Sequence, residues 1–206
     1  MHCAARRDTP FQPGAARRTG RAVAVMLLRL LLATLLATLL WAPLTRAAEP
    51  ELTSFEVVHN DDGVYLSYAI NLDLSRSVDD ALSKAVPLFF VAEAEVYRHR
   101  FYWRDQRVGY AVRRWRIVFQ PLTSTYRVTF DGGLSQNYAS RDEAFAAISR
   151  AARWKIAEGP QIDPGSHQYV EFSYRLDTSQ LPRPMQIGIG GQADWSMSVR
   201  RTQQIN

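Results

Sequence analysis

Apolar and polar positions alternate along most of the chain after residue 50, and that alternation predicts strands. Tyr126, Val128 and Phe130 alternate with Thr125, Arg127 and Thr129, the period of two expected of a strand with one buried face. Val170, Phe172, Tyr174 and Leu176 repeat the pattern. In residues 88–98, Leu88, Phe90, Ala92, Ala94 and Val96 share one face while Glu93 and Glu95 share the other. Residues 52–59 and 64–72 read as a hairpin about Asn60-Asp61-Asp62-Gly63, residue types that tolerate positive φ. Val64, Leu66, Tyr68 and Ile70 line one face of its second strand. Further strands are expected over residues 100–104, 108–120, 134–139, 185–189 and 194–200.

Two segments change to helical spacing. Val78, Ala81, Leu82 and Ala85 follow Ser77, a cap with Asp80 three residues on, and Pro87 ends the helix. Ser140 and Glu143 open a second helix with the stripe Ala144, Phe145, Ile148 and Ala152. Asp131-Gly132-Gly133 reads as a turn, and Gly159, Pro160, Pro164 and Gly165 mark a loop. Pro182 and Pro184 fix φ and remove donors, so Leu176 to Pro184 reads as a rigid connection, with a polyproline ligand as the alternative. These elements predict a mainly β domain: an antiparallel β-sandwich of about nine strands, immunoglobulin-like in general architecture, with two short helices. The absence of regular βα alternation argues against a doubly wound sheet.

The N-terminal pattern is different. Val23 to Leu40 is apolar apart from Arg29 and two threonines, follows Arg6, Arg7, Arg17, Arg18 and Arg21, and precedes Pro43 and Thr45-Arg46-Ala47-Ala48. A basic start, an apolar middle and small residues at the exit are the parts of a secretion signal helix. The expected organisation is a signal peptide over 1–48, with Met26 an alternative start, and one β-rich domain over 49–206. The expected location is the periplasm by the general secretory route. The alternative is an inner-membrane anchor formed by residues 23–40, near the short limit for a span. Arg17-Arg18 is not continued as a twin-arginine signal by Thr19-Gly20-Arg21, and no cysteine follows the exit for lipoprotein processing. The one cysteine, Cys3, lies in the targeting segment, so the domain carries no disulfide.

Removing that segment changes the charge picture. The chain carries +5, but seven of its 25 basic residues and only one of its 20 acidic residues precede Glu49. The remaining 18 basic and 19 acidic side chains give a net of −1, which argues against nucleic acid as a partner.

Catalytic, cofactor and metal motifs are not found. No Gly-x-Ser-x-Gly elbow, His-Glu-x-x-His helix or phosphate-binding loop occurs, and Gly188-Ile189-Gly190-Gly191 reads as a strand end. His59, His99 and His167 are not at ligand spacing. The most distinctive stretch is Tyr97 to Arg116, with seven arginines and six aromatics, the residue types enriched where proteins bind. Arg100, Tyr102, Trp103, Arg104 and Arg107 are the candidate partner surface. The alternative is a solvated hairpin turning near Asp105-Gln106, with Tyr102 and Trp115 in the core and Arg104, Arg107, Arg114 and Arg116 in water.

Val86-Pro87-Leu88-Phe89-Phe90, Arg100-Phe101-Tyr102-Trp103, Leu122 to Tyr126, and Leu176-Asp177 through Leu181-Pro182 and Pro184 to Asp194-Trp195 occur in an order that resembles one family. It is the proteobacterial exported family called domain of unknown function 4390, and the resemblance covers nearly all of 51–200. It departs after Trp195, where Val199-Arg200-Arg201 stands in place of an expected second tryptophan-containing strand. The family has no assigned catalytic residues to carry over. The resemblance implies genes lying near a nitrogen-regulation-type membrane sensor kinase.

Together these readings lead to an exported, non-catalytic binding or interaction module of the cell envelope. Its expected partner is an envelope protein or other envelope component, with membrane contact only through the targeting segment if uncleaved. The alternatives are an accessory subunit of a membrane sensor kinase pathway and a hydrolase with an unrecognised site.

Overall fold

A computed structural model describes residues 50–102, 104–162, 165–189 and 193–205. The expected signal helix, cleavage site and anchor alternative, over residues 1–48, lie outside the described residues. Residues 47–206 make up one compact unit. Among the described residues the buried core runs from Val64 to Met197, within this unit.

The described residues hold nine strands and three α-helices. In chain order they are β1 (Glu51–Asn60), β2 (Gly63–Asn71), α1 (Arg76–Ser83), β3 (Leu88–Arg98), β4 (Gln106–Gln120), β5 (Thr125–Phe130), β6 (Ser135–Tyr138), α2 (Arg141–Ile148), β7 (Arg150–Glu158), β8 (Gln168–Leu176), α3 (Arg183–Ile189) and β9 (Ser198–Ile205). Short 3-10 turns occupy Gly159–Gln161, Thr178–Gln180 and Ala193–Trp195. The strands form two antiparallel sheets, one ordered β1-β2-β7 and the other β6-β5-β4-β3-β8-β9.

The alternation read from the sequence sets which faces meet. Leu88, Phe90, Ala92, Ala94 and Val96 of β3 are buried, as are Val170, Phe172, Tyr174 and Leu176 of β8. The smaller sheet supplies Val64, Leu66, Tyr68 and Ile70 from β2. Aromatic rings join the two sheets: Tyr68 lies 4.7 Å from Phe172, and Phe55 lies 5.5 Å from Phe172. Trp115 of β4 packs 5.9 Å from Tyr174, whose hydroxyl donates to the Ile148 carbonyl at the end of α2. At one end the sheets approach so closely that a Cβ on Gly109 would stand 2.7 Å from the Ala157 Cβ and 2.9 Å from the Ile156 carbonyl oxygen. Only a glycine on β4 lets β7 come this near.

Several local expectations change. The first helix is capped by Ser75, not Ser77; its hydroxyl accepts from the Val78 amide. Both serines also reach Asp194, Ser75 through the carbonyl and Ser77 through the carboxylate, which ties the turn carrying buried Trp195 to the start of α1. The second helix starts as expected, with the Ser140 hydroxyl accepting from the Glu143 amide, but it ends at Ile148, and Ala152 belongs to β7. That strand was absent from the sequence reading. Arg153 adopts a φ of 48°, and the pairing with β2 skips between Leu66 and Tyr68, so Ala151 and Trp154 both point inward three residues apart. A bulge thus imitates helical spacing.

The strand expected at 185–189 is α3, a third helix. Pro182 precedes it and Pro184 sits in its first turn, where a missing amide costs nothing. The Met185 and Gln186 amides donate to the Pro182 carbonyl instead. Gly188 and Ile189 are helical, not a strand end. The final strand starts later than expected, at Ser198, after the turn over 193–195. The strand expected at 100–104 does not form among the described residues: 99–102 and 104–105 lie outside any strand, in the loop between β3 and β4.

Candidate interaction surface

The β3–β4 hairpin places the arginine-aromatic stretch at one end of the domain. The pairing is regular from Leu88–Ile117 to Val96–Gly109, then shifts, so that Tyr97 opposes Arg107 and Val108 is the extra residue. Such a bulge increases local twist and redirects the chain beyond it. The loop after it is fixed by Asp105. One carboxylate oxygen accepts from the Arg100 amide at 3.2 Å and lies 3.0 Å from His99 Nδ1. The other accepts from the Tyr169 hydroxyl of β8 at 2.7 Å. The Arg100 guanidinium also donates to Gln106, and the His99 amide donates to the His167 carbonyl.

This knot holds backbone without burying the loop's rings. Phe101 and Tyr102 are each 86% exposed and pack edge to face with centroids 4.7 Å apart. The expectation that Tyr102 faces the core is therefore overturned, because the loop leaves the sheet at Arg98 and carries it into solvent. Trp115 does belong to the core, 5% exposed.

The sequence-derived candidates divide between two environments. Arg100, Tyr102 and Arg104 lie on the exposed loop; Trp103 lies outside the described residues. Arg107 lies on β4, where it donates to Glu95 at 2.7 Å and stands 5.0 Å over the Tyr110 ring. It is thus committed to the outer face of the larger sheet. Phe101 was missed, since a strand over 100–104 would have turned it to the opposite face from Tyr102. His99, Asp105 and Tyr169 were also missed; the last lies 64 residues beyond Asp105, and no local pattern links them.

From the loop a polar ladder continues along that outer face. Tyr97 and Tyr169 stack at 5.5 Å, and the Tyr97 hydroxyl donates to Glu95 at 2.7 Å. Glu93 pairs with Arg175 through two bonds of 2.7 and 3.2 Å. Beside it a groove of about 490 Å³ is lined by Glu171, Ser173, Arg200 and Thr202 among others. The two glutamates that share this face of β3 are thus each held by an arginine.

The electrostatics of the ladder are those of a support. The Tyr169 hydroxyl, followed by the Arg100 amide and His99, holds Asp105 below the usual carboxylate range. Burial raises Glu95, but the Tyr97 hydroxyl and Arg107 outweigh it and leave it below that range. Burial, then the bond to Asp105, pushes Tyr169 up to about 12. The bond to Glu95, then burial, raises Tyr97. These carboxylates are driven toward full charge and these phenols toward full protonation. Among the described residues no three His, Cys, Asp or Glu side chains are grouped to hold a metal ion.

An acid response follows from the sign of these shifts. A carboxylate with a depressed folded pKa stabilises above its unfolded pKa of about 4, and the contribution disappears as pH falls through the folded value. Thermal melts should therefore show stability falling below about pH 4, with a smaller fall for Asp105→Asn. An equal fall in both proteins would assign the acid response to Glu95 and Asp177, the latter also held below its usual range.

No curated protein and no solved structure matches the chain. A family model does, over residues 47–206, the same span as the compact unit. The chain therefore belongs to the family described as Domain of unknown function (DUF4390).

Proposed function

We propose that this chain is an exported, non-catalytic binding module of the cell envelope, in which a β-sandwich of the two sheets presents the loop over residues 99–105 to an envelope partner. The observation that carries the reading is the pair of adjacent rings, Phe101 and Tyr102, each 86% exposed on a backbone tied down by Asp105. Apolar surface in water is unfavourable, and an ordered loop that displays it avoids much of the entropy cost of binding. Arg100 and Arg104 beside the rings are of the type enriched at binding hot spots. Export, the periplasmic location and passage through the general secretory route rest on the N-terminal pattern before Glu49.

Chemical crosslinking in intact envelopes, followed by capture of the protein, tests location and binding together. Phe101→Ser with Tyr102→Ser should reduce the captured partner by about tenfold or more, as loss of a hot spot does. The fold should be unchanged, because neither ring contributes to the core. Arg104→Ala should also reduce capture, and its exposed charge should contribute only about 0–1 kcal/mol to stability. Undiminished capture by the folded double variant would leave the loop as ordinary solvated surface and sink the proposal.

A further inference from the structure

We infer that the loop between β3 and β4 docks on an anionic phospholipid surface, with Phe101 and Tyr102 entering the headgroup layer and Arg100 and Arg104 meeting lipid phosphates. The inference rests on the reading of this loop as the binding surface and names what it binds.

Three features select a bilayer over a protein. The first is size. Two aromatic side chains bury roughly 150–250 Å² each, whereas a stable protein interface covers about 800 Å² per partner. A bilayer sets no such minimum, and aromatic rings are favoured at headgroup depth, where an apolar body and a polar edge are both satisfied. The second is isolation. Among the described residues the other large exposed apolar side chains, Val58, Tyr110, Leu122 and Leu134, are not adjacent to one another in the chain, and Leu122 lies at the opposite end of β4. Among the described residues the exposed rings of this loop are thus the adjacent pair Phe101 and Tyr102.

The third feature is charge. Residues 98–107 contain four arginines and one acid, Asp105. That acid is already engaged by His99, Arg100 and Tyr169. Arg107 is balanced by Glu95, which leaves Arg100 and Arg104 as the exposed cations next to the rings. Aromatic residues flanked by arginine suit an anionic interface, where each cation adds electrostatic attraction that salt screens.

The loop also lies at the far end of the domain from Glu51. Asn60 opposes Gly63, which pairs with Glu158, while Glu51 pairs with Asn71 at the other end of the same strands. Gly109 against Ala157 places the 158 end beside the β3–β4 loop.

Flotation of the unit over 47–206 with vesicles of phosphatidylglycerol in phosphatidylcholine tests the inference. The protein should float with these vesicles, less so as salt is added, and weakly with phosphatidylcholine alone. Phe101→Ser with Tyr102→Ser should lower vesicle affinity by about tenfold or more, and Arg104→Ala by roughly fivefold, with circular dichroism unchanged. Flotation that is absent, or equal for wild type and the double variant, would overturn the lipid assignment. If the same double variant nevertheless loses its crosslinks in intact envelopes, the loop binds a protein: the lipid assignment falls and the binding surface stands. Loss of neither flotation nor crosslinks would overturn both.

Discussion

Trp115→Ala should cost about 3–5 kcal/mol of folding stability, the range for removing a large aromatic from a core that collapses only partly. Its side chain is 5% exposed and 5.9 Å from Tyr174, whose ring also lies 5.9 Å from Phe90. Phe90 in turn meets Phe145 of α2 edge to face at 6.0 Å. Removing Trp115 thus opens a void beneath the contact between the larger sheet and the helix. The loop rings, by contrast, lie on the same hairpin but outside the core. Urea unfolding of Trp115→Ala beside Phe101→Ser with Tyr102→Ser should give a large drop in midpoint for the first and little change for the second. A similar drop for both would mean that the loop supports the fold.

Gly109→Val should destabilise by about 3 kcal/mol, the upper end of overpacking. The backbone is not the obstacle, because Gly109 does not adopt positive φ. The obstacle is β7: the first added carbon would stand 2.7 Å from the Ala157 Cβ, 2.9 Å from the Ile156 carbonyl oxygen and 3.2 Å from the Val96 Cβ. The side chain of Ala157 can be removed by mutation, but the carbonyl cannot. Ala157→Gly should therefore rescue Gly109→Val only in part, a coupling that thermal melts of the single and double variants would measure. Full tolerance of Gly109→Val would contradict the close approach of the two sheets.

The same packing explains what the sequence could and could not reveal. In β3, β5 and β8 the core-facing residues keep a period of two, and the register shift at the end of β3 falls on its partner β4, so their inward faces were legible. In β7 the bulge at Arg153 breaks the period and gives Ala151 and Trp154 helical spacing, directly after a real helix. α3 was hidden in the opposite way. Met185, Ile187 and Ile189 alternate as in a strand, and two prolines that looked like breakers occupy the start of the helix, where proline is tolerated.

The candidate surface was legible as composition and obscure as geometry. Arg100, Tyr102 and Arg104 stood out because arginine and aromatic residues crowd that stretch. Their presentation depends on Asp105 of the loop meeting Tyr169 of β8, on the far side of β3 from β4, a contact that only the fold brings together. Without that contact the same letters read equally well as a short strand, with alternate rings turned inward. Arg107 shows the converse: it belongs to the same arginine run, but a bond to Glu95 across the hairpin assigns it to the sheet.

A photoactivatable phenylalanine analogue placed at position 102 or at position 134 in living cells tests the central claim most directly. Tyr102 is 86% and Leu134 76% exposed, so the two positions differ in location far more than in accessibility. On irradiation, the probe at 102 should give crosslinks to an envelope component, lipid or protein, and the probe at 134 should give few. Equal yields from both positions, or none from 102, would contradict the assignment of the β3–β4 loop as the surface by which this domain binds.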